Sequence, residues 1–337
     1  MLWTLLLVAH AGYGDAVDGY PSPAERELHL WTNAVRVDPQ AFNANYMQGG
    51  CQFASFKSGE KLPKPPLAWN QRLNDAARFH SKDMDKFNFL SHDSSDGTSF
   101  ERRLARFYSG YAIGENVAYG YITPYDTVMQ GWMCSSGHRA NIMHDGFDEF
   151  GGGVSSDYMT QDFGLRNIDM PHMTTGISRP AEPTNGSATF LVDVNGVTPI
   201  AVYVAIDGAP SPMELRWGAE DQGVYGVDAE FSPGGCHAFW FELEGVDGIS
   251  RFPEEGAYGF GDCKFDDKDA KWFSGTTLRA KGGALEGITD GTVSDGDVPG
   301  GTGPASGCAV VSASAAGWGA SGVGAAVALL ARRRRRA

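Results

Sequence analysis

The chain is short of positive charge. Its 337 residues hold 27 Lys and Arg against 41 Asp and Glu, a formal net charge of −14 at pH 7. Five of those cations are Arg332 to Arg336 at the extreme C-terminus, which leaves 22 against 41 for the rest. Such an acidic body repels phosphate backbones and anionic surfaces, which excludes nucleic acid as a partner. Cysteine is scarce as well. Cys51, Cys134, Cys236, Cys263 and Cys308 include no CxxC pair, so a zinc ribbon or thioredoxin-type centre has no support. H-E-x-x-H and G-x-S-x-G are both missing, which argues against a metalloprotease helix and a nucleophile elbow. Apolar residues are not lacking: 42% hydrophobic and 12% aromatic content excludes wholesale disorder. Glycine is abundant, 45 of 337, and predicts many turns.

Both ends read as addresses rather than as fold. Residues 1–11 form an apolar run closed by Ala9-His10-Ala11, the A-x-A pattern of a signal-peptide cleavage site. The run is short and no Lys or Arg precedes it; the alternative is a buried first element. Export leads to an oxidising compartment, where disulfides persist. Cys51, Cys134, Cys236 and Cys263 are the disulfide candidates, with pairing open and Cys308 left over. A Cys236–Cys263 bridge would contribute about 3–4 kcal/mol on chain-entropy grounds. Residues 282–307 read as a Gly-rich acidic linker. Residues 308–337 begin with Cys308, continue uncharged from Ala309 to Ala331, and end in five arginines. As a helix, that uncharged stretch is long enough to cross a hydrocarbon core of about 30 Å. This order resembles the MYXO-CTERM type of bacterial sorting signal. The resemblance implies processing or lipidation at Cys308, membrane contact through the C-terminal helix before processing, and display at the cell surface in the bacterial outer envelope. A permanent single-span anchor is the alternative.

Residues 23–166 read as a mixed helix-and-strand domain. An early helix carries Leu28, Trp31, Asn33, Val35 and Arg36 and should stop before Asp38-Pro39. A second helix places Leu73, Ala76, Ala77, His80, Met84 and Phe87 on one buried face, with His80 as a packed histidine. Thr98-x-x-Glu101 predicts a capping box for a helix from Phe100 to Phe107. Thr123-Pro124 predicts an N-cap and N1 proline for a helix to about Met133. A hairpin is expected from Phe150–Ser155 and Tyr158–Gly164.

Polar landmarks interrupt this scaffold: Ser91-His92-Asp93, Gly114-Glu115-Asn116-Val117, and the run from Trp132 through Ser135, Ser136, Gly137, His138, Arg139 and Asn141 to Met143. Singly, each has a plain reading. His92 suits a surface turn, Glu115 a helix cap, and Ser136 an N-cap. Together with Thr160-Gln161-Asp162-Phe163-Gly164, Leu30-x-x-Asn33-x-x-Arg36 and Leu67-x-Trp69-Asn70, their order and spacing resemble the CAP superfamily (cysteine-rich secretory proteins, antigen 5 and pathogenesis-related 1 proteins) in its bacterial form. The resemblance implies an α-β-α sandwich with a cleft holding two histidines and two acids. Carried over by motif, these are His92, His138 and Glu115. Ser135 stands where the second acid belongs, which weakens carboxylate-pair catalysis.

The cleft residues admit three readings. His92, Glu115 and His138 have the donor chemistry of a Zn or other divalent metal site with an open position for water. Ser135 or Ser136 with His138 as base and Glu115 orienting it would make a hydrolase acting on peptide or envelope polymer. A polar network that only holds loops together is the third.

Residues 177–281 lose the helical period. Ala188–Val194, Ile200–Ile206, Met213–Trp217, Tyr225–Phe231, His237–Leu243 and Ala257–Phe260 read as short strands between turn signals such as Asn195-Gly196 and Asp207-Gly208. Their spacing suggests a small immunoglobulin-like β-sandwich with Trp217, Phe239, Trp240 and Phe241 in its core. The Asp262, Asp266, Asp267 and Asp269 cluster reads as a solvated acidic turn. Pro171, Pro180 and Pro183 mark Met170 to Gly186 as the interdomain joint. The fold expected is therefore α+β: a CAP domain followed by a β-sandwich. The function expected is an exported, surface-displayed module whose cleft at His92, Glu115, Ser135 and His138 binds a divalent ion or small extracellular ligand. A hydrolase and a structural adhesion module are the alternatives.

Overall fold

The computed structural model describes residues 12–45, 56–181, 183, 185–232, 234–261 and 272–273. The expected signal peptide, the linker at 282–307, the sorting signal at 308–337 and the aspartate cluster at 262–269 lie outside the described residues. So do Cys51, Cys263 and Cys308, and with Cys263 the candidate Cys236–Cys263 bridge. Cys134 and Cys236 are each disulfide-bonded. Among the described residues no helix is long and apolar enough to cross a membrane.

A capping box starts the first helix, α1 (Pro23–Val37). Ser22 Oγ accepts from the Glu25 amide at 3.3 Å, and Glu25 Oε2 accepts from the Ser22 amide at 2.9 Å. The helix stops before Asp38-Pro39, and α2 (Pro39–Asn45) follows. A mixed sheet then forms from β1 (Ala68–Trp69), β2 (Ala112–Tyr119), β3 (Glu149–Ser155) and β4 (Tyr158–Leu165), in the order β1-β3-β4-β2. The long amphipathic α3 (Gln71–Phe87) is capped by Asn70, whose Oδ1 accepts from the amides of Arg72 and Leu73.

Glycines decide how the layers meet. A Cβ at Gly151 would run into the backbone of Leu73 and Asn74, and one at Gly153 into Ala77. Between them, Gly152 faces Glu25 and Leu28 of α1. Alternate residues of a strand point to opposite faces, so α3 covers one side of β3 and α1 the other. Ser81 Oγ of α3 donates to Thr160 Oγ1, while Gln161 Nε2 donates to Thr32 Oγ1 of α1 at 2.6 Å, repeating the alternation on β4. Helices on both faces of a sheet are what the resemblance implied.

Shorter helices complete this domain: α4 (Phe100–Leu104), α5 (Pro124–Asp126) continuing as a π-helical turn over Thr127–Trp132, and α6 (Ser136–Ile142). Thr123 Oγ1 caps α5 by accepting from the Asp126 amide at 3.0 Å, as expected. The capping box expected at Thr98 does not form. Ser99 is the N-cap, and α4 ends at Leu104 rather than Phe107. Thr98 is engaged elsewhere: its amide donates to Asp96 Oδ1 and its hydroxyl accepts from Arg106.

The second half is all strand: β5 (Gly176–Arg179), β6 (Ser187–Asn195), β7 (Ala201–Ile206), β8 (Ala209–Pro212), β9 (Glu214–Ala219), β10 (Gln222–Glu230), β11 (Cys236–Gly245), β12 (Gly248–Phe252), β13 (Ala257–Gly261) and β14 (Trp272–Phe273). One sheet runs β5-β6-β10-β9, and a second runs β14-β13-β11-β7-β8 with β12 paired to β11. Phe190 and Val192 from the first sheet share an apolar core with Val204, Phe239, Phe241 and Phe260 from the second. Asp207 and Gly208 both have positive φ, the signature of the tight turn that joins β7 to β8. Phe239 and Phe241 lie in that core as expected, whereas Trp240 between them is buried outside it, under the Arg251 guanidinium. Trp217 is not in that core. It lies in the seam between the halves, its ring 5.9 Å from Trp31 and 5.0 Å from Phe42.

The seam is also polar. Asp193 of β6 is buried and accepts from the amides of Thr174 and Thr175 at 2.7 and 2.9 Å, and from Asn33 Nδ2 of α1 at 2.7 Å. The proline-rich joint is thus pinned where it passes from one half to the other. Residues 12–15 cross the same seam: the Trp69 amide donates to Tyr13 Oη at 2.6 Å, Tyr13 Oη donates to Thr174 O at 3.1 Å, and the Glu255 amide donates to Asp15 Oδ1 at 2.9 Å.

Candidate functional site

The cleft residues gather at the edge strand β2. Glu115 sits in mid-strand with its side chain 1% exposed, which removes the plain reading of it as a helix cap. Its Oε1 accepts from His92 Nδ1 at 2.8 Å, and its Oε2 accepts from the Arg103 guanidinium. Arg103 comes from α4, is fully buried, and also donates to His92 O at 2.7 Å and to Ser94 Oγ at 3.2 Å. One cation therefore holds both the carboxylate and the loop that carries His92. The same loop is held from α3, where His80 Nε2 donates to Ser91 O at 2.8 Å. His80 is the packed histidine expected, and burial pushes its pKa down.

His138 reaches the site from α6. Asn116 of β2 donates from Nδ2 to His138 O at 3.1 Å and to Gln161 Oε1 at 3.0 Å. Asn141 of α6 donates to Glu115 O and to Asn116 Oδ1, at 3.0 and 2.9 Å. These amide side chains bind the helix to the strand. Arg139 secures its other face, donating to Glu60 Oε2 and Met133 O, both at 2.8 Å. Gly114 is needed because a Cβ there would come within 2.8 Å of the Phe147 ring. Of the Gly-Glu-Asn motif, then, the first residue makes room, the second joins His92 to Arg103 and the third anchors α6.

The two imidazoles differ electrostatically. The hydrogen bond to Glu115 raises His92, against the opposing effect of partial burial. Burial, and then the nearby charge of His92, lower His138 to about 4. At neutral pH His138 is a neutral base, while His92 is half-exposed (52%) and held toward its protonated form. Ser135 is the N-cap of α6 and makes no side-chain capping bond. Among the described residues it shares no hydrogen bond with His138, whose Nδ1 is buried without a partner.

As a metal site the set is reduced. No group of three or more His, Cys, Asp or Glu side chains among the described residues is placed to hold an ion. Both Glu115 oxygens are engaged, one of them by a guanidinium, so Glu115 does not fit as a ligand. His92 and His138 remain as imidazole donors. A carboxylate on His92 Nδ1 is the arrangement that commonly orients a metal-binding histidine through its other nitrogen.

Residues 31–165 match the model of the Cysteine-rich secretory protein family, CAP. The first domain is of CAP type. Over 107 residues the chain is 37% identical to the uncharacterized protein YkwD of Bacillus subtilis, and over 98 residues 35% identical to the uncharacterized membrane protein YlbC of the same organism. These matches cover 31% and 29% of this chain, and 41% and 28% of the relatives, so the chain spans less than half the length of either. Among solved structures, an extracellular protein containing an SCP domain from Bacillus anthracis is 38% identical, with 31% of this chain and 35% of that one covered and a TM-score of 0.30.

Two residues around Glu115 were not picked out from sequence. Arg103 was hidden within a run of charged residues on a short helix. Asp162 was quoted within a motif but given no role. A charged residue in the middle of an otherwise buried strand was the available signal for it.

Proposed function

We propose that the chain is an exported binding module whose CAP cleft takes a divalent ion, or a small polar ligand, at His92 and His138. The observation that carries this reading is the buried Glu115 carboxylate clamped by Arg103 and accepting from His92 Nδ1. That clamp fixes the ring and leaves Nε2 as its donor atom, beside an imidazole kept neutral by burial. A bound ion would supply a Lewis-acidic centre with positions open to water or ligand. His92 and His138 would hold it, Glu115 would orient His92, and Arg103 would keep Glu115 in place.

Zinc titration of the full chain by calorimetry tests the reading. Binding heat is expected for the unmodified protein and its loss in both His92→Ala and His138→Ala. Equal heats in all three proteins would remove it. The polypeptide architecture supports extracellular placement: cysteines engaged in disulfides belong to oxidising compartments. On this reading the A-x-A signal peptide exports the chain and the terminal Cys-helix-Arg segment displays it. The two antiparallel sheets around one apolar core support reading the second half as an immunoglobulin-like sandwich that presents the CAP domain. Hydrolysis is the lesser reading, because Ser135 and His138 are not joined by a hydrogen bond.

A further inference from the structure

Asp162 lies in the middle of β4, directly opposite Glu115 of β2 on one side and Gly151 of β3 on the other. Opposed residues of an antiparallel pair share a face, so the two carboxyl groups stand side by side within hydrogen-bonding reach. Asp162 is fully buried, and neither of its oxygens accepts a hydrogen bond from any described residue. A carboxylate without donors is among the most costly groups to bury. An acid that still carries its proton has a donor of its own, and Glu115 is the acceptor beside it.

The surrounding charges lead to the same assignment. Among the described residues Arg103 is the fully buried cation facing the pair, and it is already donating to Glu115, His92 O and Ser94. His80, packed from α3, is kept neutral by burial and brings no countercharge. His92 faces Glu115 from the opposite side. Two adjoining carboxyls with a single guanidinium between them do not both ionise. Glu115 holds the guanidinium and the imidazole, so the proton belongs on Asp162. Burial, followed by the charge on Glu115, pushes its carboxyl well above the usual range.

We propose that Asp162 is a positioning residue of the cleft, donating its carboxyl proton to Glu115 and so acting as the third donor to the carboxylate that orients His92. Arg103, Glu115 and Asp162 then form a cluster of zero net charge behind the exposed imidazole. The inference concerns the Glu115–His92 contact and is independent of what the cleft binds.

Infrared spectroscopy of the full chain, compared with Asp162→Asn, tests the proton directly. The expected difference at pH 7 is a protonated-carboxyl carbonyl band present in the unmodified protein and lost in the variant. NMR titration of the His92 ring tests the positioning. Asp162→Asn keeps a neutral donor and should leave that titration in place. Asp162→Val removes the donor and should shift that titration, because Glu115 then keeps two of its three partners. Absence of the carbonyl band would overturn the proposal. So would a His92 titration that falls by about a unit or more in Asp162→Asn, because that marks loss of a real negative charge. An unchanged titration in Asp162→Val would overturn the positioning role. Should the valine variant not fold, the band and the asparagine titration still decide.

Discussion

His29 and His138 are both kept neutral by their surroundings, and that has a measurable cost in acid. Burial lowers His29 to about 3 and His138 to about 4, from an ordinary 6.5. His29 accepts that environment because its Nε2 donates to Leu67 O at 2.7 Å and its ring stacks on Phe150 at 4.7 Å. In the unfolded chain both rings take up protons near 6.5, while the folded chain resists until far lower pH. Folding stability is therefore full above about 6.5 and falls as the pH drops toward 4 and then 3. His92 has the opposite sign. Its raised value contributes stability present below 6.5 and lost as the pH rises through the folded value, but half-exposure keeps that contribution small. The midpoint of thermal unfolding is expected to fall between pH 7 and pH 4, and to fall less steeply in His29→Gln. A flat profile in the unmodified protein would count against buried neutral histidines.

At the level of elements, the tight α3–β3 contact rests on glycine. Gly151→Ala would push a methyl group into the backbone of Leu73 and Asn74, where nothing flexible can give way. A loss of about 3 kcal/mol is expected in denaturant unfolding, at the upper end of overpacking costs. Gly152→Ala, with more room on the α1 side, should cost less. Helices α1 and α3 were legible in sequence because period 3.6 and cap residues are local signals. The β3–β4 hairpin was legible from its turn. The site histidines and Glu115 were legible only through the order of motifs, since nothing local says that residues 92, 115 and 138 meet. Arg103 and Asp162 escaped because their roles depend on a cross-strand register and a short helix placed by tertiary packing. Thr98 misled for a similar reason: its hydroxyl and amide were claimed by neighbours, and Ser99 took the cap. Strands β5, β8 and β12 were missed because short edge segments such as Ala209–Pro212, with two prolines, carry little β-propensity of their own.

Across the whole molecule, the two halves share more than a linker. Ile177, Leu191 and Val224 belong to the same apolar cluster as Leu28, Trp31 and Phe150, and Trp217 packs on it from β9. Arg26 of α1 stacks over the Tyr258 ring of β13 with 3.7 Å to its centroid. A single unfolding transition by circular dichroism is expected, rather than one for each half. Trp217→Ala should lower stability by about 2–3 kcal/mol, less than for a fully buried tryptophan, because Trp217 is only partly buried. Two separate transitions in the unmodified protein would show the halves to be independent.

That shared seam changes what can be borrowed from the relatives. Family resemblance stops at residue 165, but α1 leans on residues far beyond it. A fragment trimmed to the borders of the match would bare Trp31 and Phe42 to water and leave the Asn33 amide without its aspartate. It would be a sticky, self-associating piece. Anyone assaying the cleft in isolation would be measuring that wound along with the chemistry.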